Sequence, residues 1–321
     1  MTTPPPPGSS PSKPLSYRVR KHATDAMNAL LVRCFPTFYN GYMRFVYKTS
    51  RVEHINTDLL WRLRERYGGL VGIMWHQDVV TVAWSFRQYE GHTLASPGDL
   101  GNVITALLER NDFIVFRGGS TRSRRRRRRV LPDMIEHMRD VPGVAFGVTC
   151  DGSKGPPYRV KSGSIVIAHE CAKPMIVSRT WCKRRINLPG WDRSYIPLPF
   201  NHIIQAFAGP YFVPVDADDP DVLERFRTEL EGELHELVYY VHERIGDIPP
   251  EPRFGFPPGW SPSWNGRLPD RAFEPEASHP ANAQVGAEPS GGAAKRRQRA
   301  AVERARAAGN DAYGTASKGC P

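Results

Sequence analysis

The chain has 321 residues, 40% of them hydrophobic, with 44 Lys and Arg against 33 Asp and Glu and a formal charge of +11. This is enough apolar material for one substantial core, and the charge favours polyanionic partners such as anionic lipid surfaces, phosphorylated substrates or nucleic acid. The cysteines Cys34, Cys150, Cys171, Cys182 and Cys320 show neither the pairing of a disulfide framework nor zinc-ligand spacing, so a reducing compartment and no metal are expected. No window offers about 18 or more uncharged apolar residues, and the start lacks a basic stretch followed by an apolar leader. Membrane contact is therefore expected to be peripheral, at the cytoplasmic face of the cytoplasmic membrane.

Residues 1–14 are Pro- and Ser-rich, and residues 248–321 mix Pro, Gly, Ala and charge with little apolar periodicity, so both read as disordered tails. The span 15–247 between them suits one α/β domain. Within it, residues 15–47 combine Leu, Phe, Tyr and Met with basic residues, and Arg33, Pro36 and Arg44 divide them into short amphipathic pieces suited to a membrane interface or to core-packing helices broken at Pro36.

Short apolar runs then alternate with helical patterns. Strands are expected over 70–75, 113–116, 143–149 and 175–181, with helices over 78–89, 131–139, 162–170 and 221–244. The last is a long amphipathic helix with Leu230, Leu234, Leu237, Val238, Val241 and Ile245 on one stripe. Such alternation implies an α/β fold with a mainly parallel central sheet flanked by helices.

In sheets of this kind ligands bind beyond the carboxyl ends of the strands. Three strand-to-loop junctions carry chemistry. His76 follows the first strand, where an imidazole can take a proton from an attacking hydroxyl; Asp78 is two residues on, a candidate to orient it or a carboxylate favoured at a helix start. Arg117, Gly118, Gly119, Ser120, Thr121 and Arg122 bring backbone amides, hydroxyls and guanidinium forks together, the groups that hold a phosphate. The run Arg124 to Arg129 follows as a charged loop. Asp151, Gly152 and Lys154, ahead of Gly155 and two prolines, form a stiff charged turn that either contacts the substrate or only caps the loop.

Together these junctions resemble the lysophospholipid acyltransferase superfamily, in particular a bacterial branch related to the lipid A acyltransferases. The likeness covers roughly residues 45–245. It is carried by Trp75-His76, by Arg117 to Arg122, by Asp151-Gly152 with Lys154-Gly155-Pro156, by Lys173-Pro174-Met175-Ile176-Val177, and by the segment Trp191-Asp192-Arg193-Ser194-Tyr195-Ile196-Pro197-Leu198-Pro199-Phe200. The resemblance implies an acyltransferase-like fold in which His76 deprotonates an acceptor hydroxyl that attacks the thioester of acyl-CoA or acyl carrier protein. It assigns Arg117, Ser120, Arg122, Asp151 and Lys154 to acceptor or phosphate contacts and implies no bound cofactor. The expected partners are a lysophospholipid or related lipid, an acyl carrier and an anionic membrane surface. Many members carry an acid five positions after the histidine, where this chain has Thr81. That departure keeps a catalytically silent lipid-binding relative as an alternative. Nucleic-acid binding fits less well, because the arginines lack interleaved aromatics.

Overall fold

The computed structural model describes residues 15–118, 132, 134–247 and 279–284, with side chains described from residue 26 to residue 282 of these. Residues Gly119, Ser120, Thr121 and Arg122, the run Arg124 to Arg129, and the stretches 1–14, 248–278 and 285–321 lie outside the described residues.

The helices are α1 (Leu15–Thr49), α2 (Leu59–Tyr67), α3 (Val79–Ser85), α4 (Asp99–Glu109), α5 (134–140), α6 (Gly163–Glu170) and α7 (Pro220–Ile245). The strands are β1 (Arg51–Ile55), β2 (Gly69–Met74), β3 (His92–Ala95), β4 (Ile114–Arg117), β5 (Val144–Thr149), β6 (Met175–Cys182), β7 (Arg185–Asn187), β8 (Tyr195–Pro197) and β9 (His202–Tyr211). Seven strands form one sheet in the order β1-β9-β6-β2-β5-β3-β4, while β7 and β8 form a separate antiparallel ribbon. From β6 to β4 all neighbours are parallel; β9 pairs antiparallel with β6 and parallel with β1, so the last two strands run the other way. The expected α/β fold with a mainly parallel, helix-flanked sheet is what the chain forms.

β2 sits at the centre because its sequence, Gly-Leu-Val-Gly-Ile-Met, is apolar on both pleat faces, and all six residues are buried. On one face, Val71 and Ile73 join Val177 and the α7 residues Leu230, Leu234, Leu237 and Val241 in the main core. α7 starts with Asp219 accepting from the Asp221 amide and stops at Gly246 in the left-handed conformation. On the other face, Leu70 packs with Leu59, Leu60 and Leu63 of α2, and beyond it Gly72 and Met74 line a cavity.

One reading changes. The amphipathic pieces expected over 15–47 form a single helix, with Pro36 inside it. Tyr39, Met43 and Val46 are buried beyond Pro36, and packing against the domain holds the helix through a residue that removes one backbone hydrogen bond. Among the described residues, no helix is long and apolar enough to cross a membrane. In the C-terminal stretch, Pro280–Gln284 form a 3-10 turn with Ala281 fully buried against the α2 cluster, and the His279 ring bonds the Val213 carbonyl at 2.9 Å.

Candidate active site

The parallel register brings the three junctions to one sheet edge, since Met74 pairs with Thr149 and Ala95 with Arg117. Past Met74 the chain makes a 3-10 turn, His76–Asp78, and past Thr149 it reaches Asp151. The His76 amide donates to Asp151 Oδ1 at 2.8 Å, so the aspartate holds the backbone that carries the imidazole. Asp151 is buried, and burial raises its carboxyl to about 6 against the opposing bond from His76.

The imidazole itself faces a different acid. His76 Nδ1 lies 2.7 Å from Asp192 Oδ2, 116 residues away in sequence. Burial works to raise the Asp192 carboxyl, but bonds from the Ser194 hydroxyl and from His76 outweigh it and hold the group below the ordinary carboxylate value. An ionised carboxylate only accepts hydrogen bonds, so Nδ1 carries the proton in this bond, and Nε2 is the nitrogen left for another partner. Trp191 covers the ring at 5.1 Å between centroids. Gly155 lets it do so: its φ is +66°, and a Cβ there would stand 2.7 Å from the indole.

Asp78, expected beside the histidine, points away from it. Its Oδ1 meets Arg179 Nη1 at 2.6 Å and its Oδ2 accepts from the Thr180 amide at 3.2 Å, with both side chains essentially excluded from solvent. Burial raises the Asp78 carboxyl while Arg179 and the Thr180 amide pull it down. Arg179 also reaches Gln77 Oε1 at 2.8 Å, so this buried cation clamps the turn from behind. Two residues apart on a tight turn, His76 and Asp78 face opposite sides. Thr81, five positions after His76, donates to the Asp78 carbonyl at 2.8 Å and takes no part in orienting His76.

Arg117 is likewise committed elsewhere. Its guanidinium donates to the Gly101 carbonyl, to Thr105 and to Asn102 Oδ1, all on α4, which leaves it bracing that helix rather than facing an anion site. Gly118, Gly152 and Lys154 line the cavity beside His76. Lys161, not singled out by the sequence pattern, lines it too and donates to the Gly155 carbonyl at 2.9 Å. With Lys154 and the start of α6 at Ser162 and Gly163, it gives this rim a positive character.

From His76 the cavity runs inward along the sheet for about 1290 Å³. Its walls are mainly apolar, including Val82, Phe86, Ile104, Leu107 and Phe207. Its floor is opened by a pair of glycines: Gly72 on β2 is in register with Gly147 on β5, so two adjacent strands present no side chain at one level. The site thus joins one oriented imidazole, a cationic rim and a deep apolar slot larger than the roughly 300–1,000 Å³ of ordinary ligand pockets. Among the described residues, no cluster of His, Cys, Asp and Glu could hold a metal ion.

No family model matches the chain. It is 30% identical over 187 residues to an uncharacterized protein of Rickettsia prowazekii (strain Madrid E), an alignment that spans 54% of this chain and 79% of that protein. The chain belongs to the family of that rickettsial protein. Among solved structures it is similar to the crystal structure of the 1-acyl-sn-glycerophosphate (LPA) acyltransferase PlsC from Thermotoga maritima, at 14% identity and a TM-score of 0.40, covering 67% of this chain and 82% of that one.

Proposed function

We propose that this protein transfers a fatty acyl group from an acyl thioester, acyl-CoA or acyl carrier protein, to a hydroxyl of a lysophospholipid or related membrane lipid. The observation that carries the reading is the His76–Asp192 pair at the mouth of the large apolar cavity. A neutral imidazole fixed through Nδ1 takes the acceptor hydroxyl proton at Nε2 as the oxygen attacks the thioester carbonyl. The C–S bond then breaks, and the proton moves from Nε2 to the departing thiolate. Asp192 holds the ring and stabilises the transient imidazolium without itself becoming protonated. The cavity suits an extended hydrocarbon chain, and Lys154 and Lys161 suit a phosphate on the acceptor or the carrier.

An apolar slot would serve a silent lipid-binding protein equally well, so the test must read chemistry. Purified protein is incubated with labelled acyl-CoA or acyl carrier protein and a panel of lysolipids. A labelled diacyl product is expected, falling about 10²- to 10⁴-fold in His76→Ala with fold and fatty-acid binding retained. Fatty-acid binding without product on any acceptor, or equal product from His76→Ala, would overturn the enzyme reading.

A further inference from the structure

α1 has two apolar faces. One packs inward through Tyr39, Met43 and Val46. The other carries Met27, Leu30, Leu31, Phe38 and Phe45, all exposed, Phe38 at 74% and Phe45 at 50%. At about 100° per residue these five fall within an arc of roughly 100°, which makes one continuous stripe of large apolar side chains where a surface helix ordinarily turns polar residues outward. Arg33, Arg44 and Lys48 follow one border of that stripe, and all three are exposed.

A second element, far away in sequence, extends the same stripe. Phe200 is 66% exposed and packs edge-on against Phe45 with ring centroids 6.2 Å apart. Its backbone is left-handed at φ 56°, a conformation that costs a non-glycine residue free energy. The loop is fixed in that shape: the Phe200 amide donates to Thr49 Oγ1 at 3.2 Å, the Asn201 amide to Ser50 Oγ at 3.0 Å, and Arg184 Nη1 to the Phe200 carbonyl at 3.2 Å. Three hydrogen bonds therefore hold a phenylalanine out into solvent, with a guanidinium beside it.

We propose that the outer face of α1, together with the Phe200 tip, docks the protein on an anionic lipid bilayer, with Phe38, Phe45 and Phe200 entering the acyl boundary and Arg33, Arg44, Lys48 and Arg184 meeting the phosphates. Charge selects this occupant. The cations border the apolar stripe as they do on helices lying in the headgroup plane, and the chain's net charge of +11 would oppose burial of this surface against a second copy of itself. The proposal does not depend on acyl transfer, since a silent lipid-binding protein would need the same surface.

The test is co-sedimentation of the full chain with vesicles of phosphatidylcholine alone and of phosphatidylcholine mixed with phosphatidylglycerol. Wild type is expected to bind the anionic vesicles and to lose binding as salt rises. The variant Phe38→Ser/Phe45→Ser/Phe200→Ser leaves every charge in place, including those of the arginine-rich stretches, and should weaken binding roughly tenfold or more with circular dichroism and melting temperature unchanged. Unaltered vesicle binding by that variant would overturn the proposal, because net charge alone would then account for it. So would a lipid-free dimer of wild type that the variant abolishes in sedimentation equilibrium, which would give the stripe to a second copy. Acyl transfer to a micellar lysolipid, followed in parallel, should persist in the variant.

Discussion

Two aspartates flank the turn that carries His76, and their surroundings could hardly differ more. Behind the turn, Asp78 is buried against Arg179 and Thr180. In front of it, Asp192 sits on a partly open loop with Ser194 and Trp191. A buried carboxylate must have its charge matched by the fold itself, so Asp78 is a structural group whose loss the fold feels. Asp192, its side chain 13% exposed and bonded by the Ser194 hydroxyl and the His76 ring, lies outside the core, so its loss bears on the orientation of His76 rather than on the fold. Distance along the chain predicts the reverse assignment, and burial decides.

The largest expected effect breaks the rear side. Asp78→Ala leaves Arg179 as an uncompensated buried cation, which costs about 3–5 kcal/mol; urea unfolding should register it, and a loss under about 1 kcal/mol would mean water or another group satisfies Arg179. Breaking the front side should look different. Asp192→Asn removes the charge that fixes Nδ1–H and should lower kcat on the order of 10²-fold with little change in KM or in unfolding midpoint. If Asp192→Asn instead unfolded the protein while Asp78→Ala left it stable and slow, the two roles would be exchanged.

A smaller effect sharpens the contrast between the cavity face and the packed face of β2. Gly147 has an ordinary backbone conformation, and a Cβ there meets only the His92 carbonyl, at 4.0 Å. Gly147→Val should therefore fold normally while narrowing the slot, and the preferred acyl donor should shift a few-fold in kcat/KM toward shorter chains. An unchanged chain-length profile would remove the hydrocarbon from this slot. The smallest effect concerns pH. His92 is buried, and burial, with the neighbouring His137 and Arg64, lowers it to about 3 against a weak opposing contact with the Glu90 backbone. A depressed histidine means the unfolded chain takes up a proton that the folded one refuses, so its contribution falls as pH drops from about 6.5 toward 3. His92→Phe should gain melting temperature over wild type progressively below about pH 6.5, and a constant difference would show that His92 does not control the acid limb.

Much of the fold was legible because buried parallel strands announce themselves: β2 and β5 are apolar runs, β6 opens with one at Met175-Ile176-Val177, and α7 carries a full-length apolar stripe. The strands that escaped notice are those whose pattern is broken. β1 is Arg-Val-Glu-His-Ile and lies at the sheet edge, β3 has four residues, and β9 ends in Gly-Pro-Tyr beside a bulge in its pairing with β6. In the site, His76 was legible from its strand end. Asp192 was visible as part of a distinctive segment, but its use depends on where the β7–β8 ribbon returns the chain, which is a tertiary fact with no local signature. Arg117 misled because a guanidinium after a strand fits an anion site and a helix brace equally well until α4 is in view.

The ribbon has one more consequence. β7 and β8 pair with each other and stand outside the seven-stranded sheet, and the loop between them delivers Asp192. An acid on α3 would come from the same stretch of chain as the histidine, whereas this one comes from a separate hairpin packed against the domain. Tyr195, packed on Trp181 at 4.8 Å and bonded to the Thr180 carbonyl, ties the ribbon to β6. The His76–Asp192 pair therefore depends on the ribbon keeping its seat on β6, and Trp191, in the same loop, also lines the cavity, so the ring's partner and the cavity wall are set by one element.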